Sequence, residues 1–151
     1  MSDTPPSALF NAWLAMHLLR RALDDALTPA GLSGDDFALY HLIASHEALT
    51  PSEICSWTGM RPSTVTSYLR RMTDRGHAAR TPSARDGRSY QVGLTPAGGA
   101  AYAEALGLFL PVLASVTDGL GGDDRGLRSE LARLDAALRD IIGLDRPPAR
   151  P

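Results

Sequence analysis

The stretch from 49 to 76, LTPSEICSWTGMRPSTVTSYLRRMTDRG, constrains the fold more than any other part of the chain. Its spacing predicts two short helices joined by a tight turn. The first runs from about Pro51 to Trp57, with Thr50 as cap and Glu53 three residues on, the pattern of a capping box. Gly59 breaks it. The second opens at Pro62, where a missing N–H costs nothing, and Gly76 closes it. Val65, Leu69 and Met72 recur at helical spacing and form an inward stripe. The outward face carries Ser63, Thr64, Thr66, Ser67, Arg70 and Arg71. Small hydroxyls let a helix backbone approach a major groove closely, and arginines beyond them reach phosphates. An ordinary amphipathic surface helix is the competing reading, for which serine and threonine are mediocre helix formers.

The charge distribution bears on that choice. The net charge is −2, which by itself argues against a nucleic-acid partner. Residues 50–95, however, hold seven arginines (61, 70, 71, 75, 80, 85 and 88) against Glu53, Asp74 and Asp86, whereas both flanks are net acidic. A basic centre between acidic flanks is the footprint of a DNA module on a scaffold that does not touch DNA. Every strong cation is arginine and none is lysine, which favours forked contacts to phosphate and guanine.

Upstream, Ser7 caps a helix expected to reach about Leu27. Its Leu9, Phe10, Trp13, Leu14, Met16, Leu18, Leu19 and Leu23 are spread around much of the circumference. A helix apolar on several faces needs cover on several faces, and in a chain of 151 residues a second subunit is the expected source. Thr28 to Gly31 ends it. A second helix spans about Ser33 to His46, with Asp35 and Asp36 in its first turn and Phe37, Tyr40, Ile43 and Ala44 facing inward.

Downstream, His77–Thr81 reads as a weak strand, and Ser89–Leu94 alternates with Tyr90, Val92 and Leu94 on one face. Asp86-Gly87 between them is a hairpin signal, which places Arg85 and Arg88 at the tip of a basic wing. Thr95-Pro96 opens another helix, which Pro111 is expected to kink or interrupt. After a glycine turn, Asp123 or Asp124 caps a last helix. There Leu127, Leu131, Leu134, Leu138 and Ile141 form a narrow seam that wants a partner helix.

The ordered string TPSEI, TG, PSTVTSYLRRMTDRG, RDGRS and LTPAG resembles the MarR family of winged-helix transcriptional regulators, over residues 32 to 99. The resemblance implies a mainly α (α+β) fold: a winged helix-turn-helix module with flanking dimerisation helices. It implies an N-terminal dimerisation helix in 1–31, the winged module in 32–95, C-terminal dimerisation helices in 96–145 and a tail in 146–151. It further implies a homodimer, a pseudo-palindromic operator in double-stranded DNA and a repressor sensitive to a ligand or to oxidation. Arg88 would enter the minor groove. Two positions depart from the family: Ser67 stands where arginine is frequent, and Arg61 where serine or threonine is frequent. Arg61 cannot cap a helix by the usual side-chain route, and is either a new phosphate or base contact or a solvated charge. Asp86 either orients Arg88 or Arg80, or makes the turn, and the two roles are compatible.

Trp13, His17, Tyr40, His41 and Phe109 are candidates for a pocket taking a small aromatic or phenolic effector, against the plainer reading that they fill core and interface. Cys55 is expected to face the interior as a small hydrophobe rather than a redox sensor, and as the single cysteine it excludes an internal disulfide. There is no HExxH, phosphate-binding glycine loop or GxSxG elbow, and no histidine–cysteine constellation at ligand spacing. The sequence reads as a non-enzymatic regulator with no cofactor and no metal. The N-terminus lacks the basic start of a signal peptide, and the longest apolar run, Ala105–Val116, is short for a membrane span, so the expectation is a soluble cytoplasmic protein. The rival is a winged-helix protein-interaction module without DNA binding.

Overall fold

A computed structural model describes residues 7–82 and 89–145. Helix α1 (Ala8–Leu27) begins at Ser7, whose side chain accepts from the Phe10 amide, and runs into a short 3-10 turn (Thr28–Ala30) closed by Gly31. Helix α2 (Gly34–His46) opens with a reciprocal box between Ser33 and Asp36. A two-residue strand β1 (Ala48–Leu49) leads into α3 (Pro51–Thr58) and α4 (Pro62–Asp74). Strands β2 (Ala78–Pro82) and β3 (Tyr90–Leu94) follow, then α5 (Pro96–Gly119) and α6 (Arg125–Ile142). The antiparallel sheet has order β1-β3-β2, with Leu49 opposite Val92 and Arg80 opposite the same residue on the other side.

The core lies in the central module. Tyr40, Ile43, Ile54, Val65, Leu69 and Val92 are fully buried there, drawn from α2, α3, α4 and the sheet. One glycine sets how α5 joins this core. A Cβ on Gly98 would lie 1.9 Å from the His77 carbonyl oxygen, so only glycine allows the close approach. Thr95 fixes the same junction, donating from its hydroxyl to the Gly76 carbonyl at 2.7 Å and from its amide to the His77 carbonyl at 3.0 Å.

The terminal helices leave large apolar side chains uncovered: Trp13 is 52% exposed, Leu131 51% and Ile141 80%. A monomer would hold these apolar side chains in water.

The sequence reading needs several corrections. β1 was not anticipated, since two residues are too short to show alternation. Pro111 does not interrupt α5, which continues to Gly119. By length and composition α5, with a mean hydropathy of 1.5, is long and apolar enough to cross a membrane, which the shorter apolar run did not suggest. Ala44 is exposed rather than inward, and Leu39 takes an inner position. At α6, Asp124 occupies the cap position without a side-chain cap bond, and Asp123 instead accepts from the Arg125 amide at 2.9 Å.

Candidate nucleic-acid interface

The two-helix unit is fixed locally at each joint. Glu53 returns the Thr50 cap by accepting from the Thr50 amide at 2.8 Å. Gly59 adopts a left-handed φ of 70°, and its amide donates to the Cys55 carbonyl at 2.9 Å. The Thr58 hydroxyl accepts from the Met60 amide at 3.1 Å, which shapes the turn into α4. Arg61 stands at the N-cap of α4 and makes no side-chain cap bond there, as its chemistry requires.

Helix α4 buries Val65, Leu69 and Met72 and exposes Ser63, Thr64, Thr66 and Arg70, with Arg61 exposed at its cap and Ser67 half-buried at the margin. The exposed set forms a continuous polar face of hydroxyls followed by a guanidinium. Arg71 behaves differently from its neighbour. Its Nη2 donates to Asp36 Oδ1 at 3.0 Å, and its guanidinium lies 4.2 Å from the centre of the Tyr68 ring. Arg75 approaches the other Asp36 oxygen at 4.0 Å. Tyr68 donates to Asp35 Oδ2 at 2.9 Å, and Arg20 of α1 reaches the same oxygen at 2.6 Å. The adjacent aspartates of α2 therefore hold α4 from behind, and reading Arg71 as an outward phosphate contact missed this engagement.

The electrostatics of Asp36 follow from these contacts. Burial works to raise its pKa, but the Ser33 amide, the Arg71 guanidinium and the Ser33 hydroxyl together hold the carboxyl below its ordinary value. The hydrogen bond to Asp36 raises the Arg71 pKa further. At Cys55 burial pushes the thiol pKa up, the wrong direction for a reactive thiolate. Cys55 is half-buried, not interior, and lines a cleft of about 340 Å³ with Ser52, Pro62, Thr66 and Leu144.

On the wing, Arg80 lies with its guanidinium 4.8 Å from the centre of the Tyr90 ring, across the β2–β3 pair. Arg85, Asp86 and Arg88 lie outside the described residues, as do both tails.

The five proposed effector residues separate into three places. Trp13 and His17 contact each other edge to face at 4.3 Å on the exposed side of α1. His17 also borders a cleft of about 230 Å³ between α1 and α2, with Met16, Arg20, Leu23 and Asp35. Tyr40 is fully buried, its hydroxyl 2.8 Å from His77 Nδ1, and belongs to the core. His41 and Phe109 come together with Tyr102, which the sequence did not single out, and with Phe37, expected only on the inner face of α2: His41 Nδ1 is 2.7 Å from the Tyr102 hydroxyl, and Phe37 packs on Phe109 at 5.0 Å. Among the described residues, no group of three or more His, Cys, Asp or Glu side chains is placed to hold a metal ion.

The MarR family model matches residues 30–89, a span that takes in α2, β1, the α3–α4 pair and β2. An HTH-type transcriptional repressor of Mycobacterium tuberculosis is 30% identical over 81 residues, covering 54% of this chain and 58% of the repressor. The match thus spans a little over half the length of that curated relative. Solved structures align over more of the chain. The M. tuberculosis transcriptional regulator MosR in complex with DNA is 30% identical, with 89% of this chain and 98% of that one covered and a TM-score of 0.78. The transcriptional repressor CouR, bound to a 23-mer DNA duplex, is 25% identical, with 85% and 92% covered and a TM-score of 0.79. With near-complete coverage of MosR, the family model on the central module and the same winged architecture, the chain belongs to the MarR family of transcriptional regulators.

Proposed function

We propose that this chain is a cytoplasmic repressor that binds a pseudo-palindromic DNA operator as a homodimer. The observation that carries the reading is the face of α4: buried Val65, Leu69 and Met72 on one side, and exposed Ser63, Thr64, Thr66 and Arg70 on the other. Such a face enters a major groove with hydroxyls at base edges and Arg70 on phosphate. Arg61 and Ser67 flank it. Arg88 of the wing would reach the adjacent minor groove, with Arg85 beside it at the tip and Asp86 orienting an arginine or making the turn. Residues 32–95 would act as the DNA module, with 1–31 and 96–145 as dimerisation elements. Two DNA-bound relatives of 25–30% identity support the reading.

A second copy of the chain is the cover that suits the uncovered faces of α1, α5 and α6. In the same reading a small aromatic or phenolic effector sits near His41, Phe109 and Tyr102, or against Trp13 and His17, and changes the separation of the two modules. Tyr40 would support that site only through the core. No catalytic step and no cofactor enter this reading.

A gel-shift titration tests it, using a duplex recovered from a random-sequence pool by the wild-type protein and a scrambled duplex of equal length. Selective, salt-sensitive binding by a dimer in sedimentation is expected. Failure to enrich any duplex would leave the protein-interaction module as the better reading. Leu131→Glu should abolish the dimer, and a dimer that persists would move the interface elsewhere.

A further inference from the structure

Only one residue of α6 is buried, and it is an arginine. Arg139 is 7% exposed, while Leu127, Leu131, Leu138 and Ile141 of the seam on the same helix lie open. Its guanidinium uses all three nitrogens. Nη1 donates to the Ser56 carbonyl at 2.7 Å and to the Asp145 carbonyl at 3.3 Å. Nη2 donates to the Trp57 carbonyl at 2.9 Å, and Nε donates to Asp135 Oδ2 at 2.8 Å. Ser56 and Trp57 stand in the last turn of α3, where carbonyls have no partner further along the helix and the helix dipole is negative. A buried cation there is satisfied by geometry only a forked, planar donor can supply.

We infer that Arg139 is a positioning residue, tying α6 to the end of α3 and so setting the angle at which α4 meets DNA. This rests on the proposed two-module dimer. The α3 terminus leads through Gly59, Met60 and Arg61 directly into α4, so a displacement of that terminus displaces the DNA-facing helix. The leucine seam of α6 centres about a third of a turn from Arg139 on the helix, with Asp135 between the two. One side of α6 is therefore available to the partner subunit, while the other grips the helix-turn-helix of its own chain. The spacing of the two modules passes through that grip. Asp135 contributes by holding Nε, which orients the fork toward α3.

A local structural role and a positioning role make different predictions. If Arg139 merely stabilised α3, losing it would weaken every DNA contact of a module alike. If it sets the relation between modules, its loss matters only where two half-sites must be met at once. The test uses full-length Arg139→Gln and Arg139→Lys on the duplex selected by the wild-type protein and on the same duplex with one half scrambled. Sedimentation confirms that each variant remains a dimer. Arg139→Gln should lose roughly tenfold on the intact duplex, the scale of one charge-assisted cluster, and much less on the half-scrambled one. Arg139→Lys should recover part of the loss, because a single ammonium reaches one or two of the acceptors. Equal losses on both duplexes, or no loss on either, overturn the tie. A wild-type protein that binds both duplexes equally overturns the two-module reading itself, and the tie with it. Discrimination retained by both wild type and Arg139→Gln overturns the tie alone.

Discussion

Asp36→Asn isolates the charge that holds the DNA-facing helix from behind. Asparagine keeps the size of the side chain and an oxygen to accept from the Ser33 amide, now 3.2 Å from Asp36 Oδ2. It removes the ion pair with Arg71 at 3.0 Å and the longer approach of Arg75. The carboxylate is 8% exposed at its side chain and Arg71 is 42% exposed, so the orphaned guanidinium can turn to water. The penalty of a stranded buried ion therefore does not apply in full, and solvent screening limits the pair. The expected loss is about 1–2 kcal/mol, which corresponds to roughly 2–8 °C in thermal midpoint for a chain of this size. The pH dependence is the sharper readout. Because the folded pKa of Asp36 is depressed, its contribution is present above the unfolded value of about 3.9 and is lost as pH falls through the folded value. Thermal melts of wild type and variant, at one protein concentration, should show the full gap at neutral pH and a shrinking gap below about pH 4. A gap that stays constant to acid pH would show that the Asp36 charge contributes nothing and that only shape was lost.

Two further substitutions probe the junction and the wing. Gly98→Ala should cost about 3 kcal/mol or more by denaturant melt, since its Cβ would collide with the His77 carbonyl, whereas Gly99→Ala, with open space around the added Cβ, should be neutral or stabilising. Asp86→Ala should weaken binding to the selected duplex but not to random DNA, by about 0.5–1.5 kcal/mol for each arginine left unordered; tighter binding to the selected duplex would leave Asp86 as a turn residue only.

Local signals in the sequence located the elements well, because they act over a few residues. Ser7, Thr50, Thr95, Gly59 and Pro62 each place a helix end by chemistry contained within one turn. The stripe of Val65, Leu69 and Met72 likewise follows from helical periodicity alone. Long-range pairings were not visible. Asp35 and Asp36 suggested only a helix dipole, yet one contacts Tyr68 and Arg20 and the other Arg71, partners as many as 35 positions away. Arg139 gave no signal in the sequence, because three of its acceptors are backbone carbonyls, which leave no trace in side-chain patterning. The effector residues were grouped by aromatic character, and Tyr40 fell out of the group because burial in the core and a hydrogen bond to His77 use the same character. Pro111 misled in the other direction: it lies exposed within α5, and the helix runs on past it to Gly119.

The engagement of Arg71 and Arg75 also changes what the arginine census predicts for DNA binding. Counted from sequence, residues 50–95 offer seven arginines, and a dimer doubles them. If all of them met phosphate, log K against log salt would fall with a slope of about −13, at about 0.9 per neutralised phosphate. Asp36 already occupies Arg71 and Arg75, and Arg80 lies over Tyr90. Among the described residues that leaves Arg61 and Arg70; counting Arg85 and Arg88 of the proposed wing with them gives a slope of about −7 for the dimer. Arg70→Ala should therefore flatten the slope by about two, because each subunit then neutralises one phosphate fewer. Arg71→Ala should flatten it by much less and instead lower stability. Asp36→Asn acts in the opposite sense. Freed from its carboxylate, Arg71 can swing to the outer face, so the slope should steepen by up to about two and binding to random DNA should tighten, while selective binding weakens because α4 no longer has its support. A wild-type slope near −13, unchanged by Asp36→Asn, would mean that DNA itself draws Arg71 and Arg75 away from Asp36, and that the pairing governs only the unbound protein.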